Sequence, residues 1–157
     1  MVTMVGTQTN EKDLVKSLLS LEHDALGAYE ETIARLENAQ FKARVSEFRE
    51  EHLRHVQELT VAARKLGIDE IPEGNAVKSA MAAGKIKIAD ALGSDKSILM
   101  AMSTNETDTV AAYERAATKD FISPELKGLF DRAYADEKKH REWMKNAAAS
   151  SDAKKAA

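Results

Sequence analysis

Glu137 and His140 stand three residues apart near the C-terminal end of the sequence, in the run Glu137-Lys138-Lys139-His140. On a helix turning by roughly 100° per residue the two share a face, and the lysines between them point elsewhere. Leu126, Phe130, Ala133, Glu137, His140 and Met144 follow one another at steps of three and four, the pattern of a core-facing stripe. An acid and an imidazole therefore occupy positions where leucines are expected. A buried ionised carboxylate without a partner is very costly, so such a residue is protonated, paired or bound to metal. A Glu-x-x-His on the inner face of a helix is one of the half-sites from which helical bundles build di-iron or di-manganese centres. Taken alone, the motif is read more readily as an internal ion pair at the end of an amphipathic helix.

Three other stripes are interrupted in the same way. The first runs Val15, Leu18, Glu22, Ala25, Tyr29, Ile33, Leu36; the second Val45, Phe48, His52, His55, Leu59, Ala62; the third Leu99, Met102, Glu106, Thr109, Tyr113, Ala117. The interruptions repeat between the two halves of the chain. Glu22 precedes Tyr29 by seven residues, as Glu106 precedes Tyr113. His52 and His55 lie 30 and 33 residues beyond Glu22, and Glu137 and His140 lie 31 and 34 beyond Glu106, a one-residue difference that a turn absorbs. Four helices thus present charged groups at one expected level of a bundle.

The elements that must position these groups are bounded by recognisable signals. Asn10 ahead of Glu11 and Asp13 caps the first helix, and Asn38 to Gln40 turns the chain into a second helix over about 41–66, closed by Gly67. The third helix starts at Ser94 or Asp95, and Ser123-Pro124-Glu125 opens the fourth. Residues 67–95, holding Ile71-Pro72-Glu73-Gly74, Gly84 and Gly93, are long for a simple helical turn; they are expected to cross the bundle carrying short helices around 76–83 and 86–92. The domain is placed at 10–147, between a loose arm at 1–9 and a flexible tail at 148–157. His23 is expected on the surface, Glu30 and Glu114 on solvated faces, and Met81, Met100 and Met102 in the core. Tyr29 and Tyr113 are placed either as hydrogen-bond donors to the carboxylates or as packing residues.

The chain resembles the ferritin-like superfamily, which includes ferritins, bacterioferritins and rubrerythrins. The likeness is carried by Glu22-x6-Tyr29, Glu106-x6-Tyr113 and Glu137-x-x-His140 and extends over nearly all of residues 11–147. It is closest to small bacterial ferritin-like domains rather than to cage-forming ferritins. The resemblance implies an all-α, ferritin-like four-helix bundle with a long crossover between helices two and three. It further implies a di-metal site in which one Glu from each of two helices and a Glu-x-x-His from each of the others hold two ions. By position the ligands would be Glu22, His52, His55, Glu106, Glu137 and His140. One departure matters: His52-x-x-His55 stands where the pattern has Glu-x-x-His, leaving three carboxylates and three imidazoles. Glu51, about 40° from His55 on the helical projection, is the nearest candidate to replace the missing acid.

Composition narrows the chemistry. With no cysteine in 157 residues, thiolate nucleophiles, iron-sulfur clusters and Cys-rich zinc sites are excluded, and any metal is held by oxygen and imidazole nitrogen. A net charge of -3 without a basic, aromatic-laced face argues against nucleic acid. No apolar run approaches the roughly 18 residues of a membrane span, and no leader pattern is evident, so a cytoplasmic location is expected. Imidazole with carboxylate suits two Fe ions, with Mn or Zn as alternatives. The expected function is that of a ferroxidase or a peroxide- or dioxygen-reducing oxidoreductase, working as a homodimer. The competing expectation is a non-enzymatic helical interaction module whose core charges form a buried network or hold a structural metal.

Overall fold

Local signals start α1, α2, α4 and α5, and stop α2, close to where the sequence places them. The computed structural model describes residues 3–91 and 93–156, with side chains through 151. Among these residues there are five helices and no strand: α1 Glu11–Arg35, α2 Ala39–Lys65, α3 Asn75–Ala89, α4 Asp95–Ala117 and α5 Pro124–Ala156. The Asn10 side chain accepts from the Asp13 backbone N–H at 2.9 Å, and that of Asn38 accepts from Gln40 and Phe41. Each satisfies donors that the first helical turn leaves free. Gly67 ends α2 with φ +70, a left-handed conformation that lets Ile68 N–H reach back to the Ala63 carbonyl at 3.0 Å. No helix among the described residues is long and apolar enough to cross a membrane.

Apolar side chains gather in two clusters with a polar layer between them. Leu14 to Leu19 of α1, Leu59 and Ala63 of α2, Ala112 to Ala117 of α4 and Leu126 to Ala133 of α5 form one. Ala28 to Leu36, Val45 and Phe48, Ile98 to Met102, and Met144 to Ala148 form the other, joined by Ile88 of α3. Along the chain, α1 and α5 run from the first cluster toward the second, whereas α2 and α4 run back from the second toward the first. The α1–α2 turn is fastened to the start of α4, where the Asp95 carboxylate accepts from Glu37 and Asn38 backbone N–H groups at 2.9 Å each. Every apolar and polar member of the expected α4 and α5 stripes is buried.

Residues 75–89 correct one expectation. They form a single helix passing straight through Gly84 rather than two short ones separated there; Leu92, the end of the second expected segment, lies outside the described residues. Gly84 is a packing glycine: a methyl group on it would fall 1.8 Å from the Asp24 carbonyl oxygen, and one on Gly27 would fall 1.9 Å from that of Met81. The backbones of α1 and α3 therefore touch, and α1 is covered by α2, α3 and α4 together. That extra cover explains His23, expected at the surface but only 8% exposed, since it shares the helix face of Gly27 four residues on. Met100, expected in the core, is instead 46% exposed.

Both ends also differ from the expected loose segments. Asp108 accepts from Thr3 backbone N–H at 3.3 Å, and the Arg115 guanidinium donates to the Thr3 and Val5 carbonyls at 2.6 and 3.2 Å, so the start of the chain is tied along α4. At the other end α5 continues helical beyond 147, and Ala147 and Ala148 are buried in the second cluster.

Candidate metal centre

Six ionisable side chains fill the layer between the two clusters. Glu22 from α1, His52 and His55 from α2, Glu106 from α4, and Glu137 and His140 from α5 are each at most 1% exposed. These are the six residues expected from the sequence. Their donor atoms form two overlapping groups of four, Glu22, His52, His55 and Glu137 in one and His52, Glu106, Glu137 and His140 in the other; the chosen atoms of each group lie within 4.8 Å of one another. His52 and Glu137 belong to both.

The two rings of contact are nearly reciprocal. His55 Nδ1 lies 3.1 Å from Glu22 Oε1 and 3.3 Å from Glu137 Oε1. His140 Nδ1 lies 3.5 Å from Glu137 Oε2 and 3.9 Å from Glu106 Oε2. His52 reaches both ways, with Nδ1 2.7 Å from Glu22 Oε2, and Nε2 3.5 Å from Glu137 Oε2 and 3.6 Å from Glu106 Oε1. Tyr29 of α1 donates its hydroxyl to Glu106 of α4 at 2.5 Å, and Tyr113 of α4 donates to Glu22 of α1. Both tyrosines are fully buried, so they donate to the carboxylates and pack the core at once. Thr109 Oγ1 stands 3.0 Å from an oxygen of Glu106 and 3.0 Å from one of Glu137; the matching position in the first half is Ala25.

On the outer side of the histidines a second pair of acids closes the seam between α2 and α5. His140 Nε2 is 2.6 Å from Glu51 and His55 Nε2 is 3.0 Å from Asp136. An ionised carboxylate only accepts, so each Nε2 carries the hydrogen and each Nδ1 is turned to the cluster. The acids are held in turn: Lys139 donates to Glu51 at 2.8 Å and Arg54 donates to Asp136. Glu51 therefore supports His140 from outside and does not stand in for the acid missing at position 52. Asp136 was not singled out from the sequence. It could have been found there, because Glu51 and Asp136, Arg54 and Lys139, and His55 and His140 are all 85 residues apart, as are His52 and Glu137.

Charge in the layer is balanced by protons when no cation is present. Burial pushes the Glu22 carboxyl up, but the charges of His52 and His55 outweigh it and hold the group at about 2. Burial opposes protonation of His55, yet Glu22, Asp136 and Glu137 raise it to about 12. His52 is raised well above the ordinary histidine value by Glu137 and Glu22 against the same opposition. Glu137 is carried well below the carboxylate range by His52 and its other histidine neighbours despite its burial, whereas Glu106 is raised by burial and by the charge of Glu137. Burial and Glu106 keep the Tyr29 hydroxyl protonated, and burial and Glu22 do the same for Tyr113.

Three buried atoms of the layer, His52 Nε2, Glu137 Oε1 and His140 Nδ1, have no hydrogen-bond partner among the described residues. Polar atoms so enclosed are ordinarily satisfied. Their convergence, with nitrogen and carboxylate oxygen as the donors, fits a divalent cation, and the buried His/Glu groups could hold one.

Comparison with curated proteins and with solved structures gave no match. A family profile does match, over residues 11–119, which takes in Glu22, His52, His55 and Glu106 with both tyrosines and stops short of Glu137 and His140. By that match, extending over more than half of its length, the chain belongs to the family described as a domain of unknown function, DUF2383.

Proposed function

We propose that this chain is a di-metal carboxylate protein of ferritin-like four-helix-bundle architecture, binding two iron ions, with manganese or zinc as alternatives, and acting as a ferroxidase or a peroxide- or dioxygen-reducing oxidoreductase. The observation that carries the reading is the pair of overlapping four-donor groups in one sealed layer. The architecture is supported by chain direction: α2 and α4 run the same way between the two apolar clusters, so the segment between them has to traverse the length of the bundle. Long crossovers of that kind belong to the ferritin-like version of the fold. Glu22, Glu106, Glu137, His52, His55 and His140 would be the ligands. Iron(II) held there would supply single electrons to dioxygen or hydrogen peroxide.

The chain's own residues have definable tasks in that reading. Tyr29 and Tyr113 fix the rotamers of Glu106 and Glu22, each from the opposite half. Glu51 and Asp136 hold the Nε2 hydrogens of His140 and His55 and leave the Nδ1 lone pairs for a cation. Phe48, whose ring centroid is 4.3 Å from that of His140, and Phe130, packed 6.3 Å from Tyr113, keep water from two sides of the layer.

Anaerobic loading with Fe(II) followed by exposure to oxygen tests the proposal. Near-ultraviolet ferric absorption should develop at two irons per chain and be abolished by replacing Glu137 and His140 together with alanine. Unchanged iron stoichiometry in that variant would falsify the assignment. The competing reading, a helical interaction module with an internal charge network, is favoured by the tight pairing of Glu22 with both α2 histidines. It leaves three buried polar atoms without a hydrogen-bond partner among the described residues.

A further inference from the structure

Among the six ionisable residues of the layer, His52 breaks the reciprocity of the two halves. Glu137 holds the matching place in the second half, and both residues lie at the centre, shared by the two donor groups. A carboxylate can serve two cations through its two oxygens. The imidazole of His52 offers two nitrogens on opposite edges of a rigid ring, and each edge faces a different group. Nδ1 looks toward Glu22, at 2.7 Å, and Nε2 toward Glu106 and Glu137, at 3.6 and 3.5 Å.

Resting on the di-metal reading, we propose that His52 bridges the two cations through both ring nitrogens, Nδ1 binding the ion shared with Glu22 and His55 and Nε2 the ion shared with Glu106 and His140. Donors bonded to one ion at about 2.1 Å stand roughly 3 to 3.4 Å apart at octahedral to tetrahedral angles. His55 Nδ1 to Glu22 and to Glu137, at 3.1 and 3.3 Å, and His52 Nε2 to Glu137, at 3.5 Å, already approach those spacings. His52 Nε2 is fully enclosed and has no hydrogen-bond partner, so the edge that faces the second group is the one left unsatisfied. The Tyr29 ring, tilted 46° with its centroid 4.6 Å away, flanks the imidazole and limits its rotation.

Charge balance leads to the same arrangement. Two divalent ions bring four positive charges into a layer where the three fully buried carboxylates Glu22, Glu106 and Glu137 supply three negative ones. An unbalanced charge at that depth is costly. A histidine that binds a cation through each nitrogen gives up every nitrogen-bound proton to the solvent, and the resulting imidazolate supplies the fourth negative charge. No electron moves in this exchange. The substitution of histidine for the carboxylate thus preserves neutrality, and it also sets the ions further apart. Across a bridging imidazole they stand roughly 6 Å apart, from two bonds of about 2 Å and the width of the ring, where oxygen-bridged pairs stand at about 3.5–4 Å.

Crystals of the full chain equilibrated with Zn(II) and measured at the zinc absorption edge decide the matter. The expected result is two zinc ions about 6 Å apart with the His52 ring between them, and a contraction to about 4 Å in His52→Glu, which restores a carboxylate. Two ions within about 4 Å in the unaltered chain, or His52 bound through one nitrogen only, overturns the bridge and leaves the di-metal reading standing. A single ion per chain with Zn(II), Fe(II) and Mn(II) alike overturns the bridge and the di-metal reading together. No zinc at all, repeated with Fe(II) and Mn(II), removes the di-metal reading itself. The measurement on the unaltered chain is sufficient if the variant fails to fold.

Discussion

Each ionisable residue of the layer is held by a partner from the other half of the chain or from the facing helix. Glu22 is the clearest case. Its carboxyl lies at about 2 against an ordinary value of 4.5, so its contribution to stability is present above pH about 4.5 and is lost as pH falls toward about 2. Acid unfolding of the chelator-treated protein, followed by circular dichroism, should steepen over that window, and Glu22→Gln should flatten it. Glu106, whose carboxyl is raised, has the opposite sign; Glu106→Gln should leave the acid limb at least as steep. The identity of all six layer residues was legible in the sequence, because acids and imidazoles at leucine positions stand out against a 3.6-residue period. Of the outer acids, Glu51 stands out in the sequence only in a different role, and Asp136 only through the matched offsets: their side chains are 24% and 19% exposed and lie among surface charges with which periodicity groups them.

At the scale of the helix, the starts of α1, α2, α4 and α5 could be read from caps and the end of α2 from Gly67, whereas α3 and the end of α5 could not. Gly84 resembles punctuation in a sequence and is in fact the point where two helices make backbone contact. A glycine that breaks a helix and one that lets a neighbour approach carry the same letter, and only the partner distinguishes them. Gly84→Ala puts a methyl group 1.8 Å from the backbone of α1, where no flexible side chain can yield. Urea unfolding of that variant should show a loss of about 1–3 kcal/mol, the usual cost of overpacking. An unchanged midpoint would mean that α3 is not seated on α1 as described. Since Gly27 lies opposite in the same contact and only five residues beyond Glu22, the seating of α3 also fixes the stretch of α1 that carries the first acid.

For the molecule as a whole, two apolar clusters closed on either side of a polar layer mean that the chain can fold without a cation and still gain from one. A cation that binds only the native state raises stability by about 2.7 kcal/mol at a hundredfold excess over its dissociation constant. The melting temperature of the chelator-treated protein should therefore rise on adding Zn(II) or Fe(II) and not on adding Mg(II), which prefers an all-oxygen shell. Invariance to all three would place the buried charges in a purely internal network. Architecture at this scale was partly legible: the matched offsets between halves announced two similar hairpins, and the length of residues 67–95 announced a long connection. The docking of Thr3 and Val5 on α4 was not, since it depends on backbone carbonyls that any residue carries.

The crossed grip of Tyr29 on Glu106 and of Tyr113 on Glu22 has a bearing on how such a chain can have grown from a smaller one. A lone hairpin would own an acid without its phenol and a phenol without its acid, so it could satisfy neither except by finding a twin. Two copies clasped in that manner already contain the whole arrangement, and joining them end to end changes only what must be reached by diffusion.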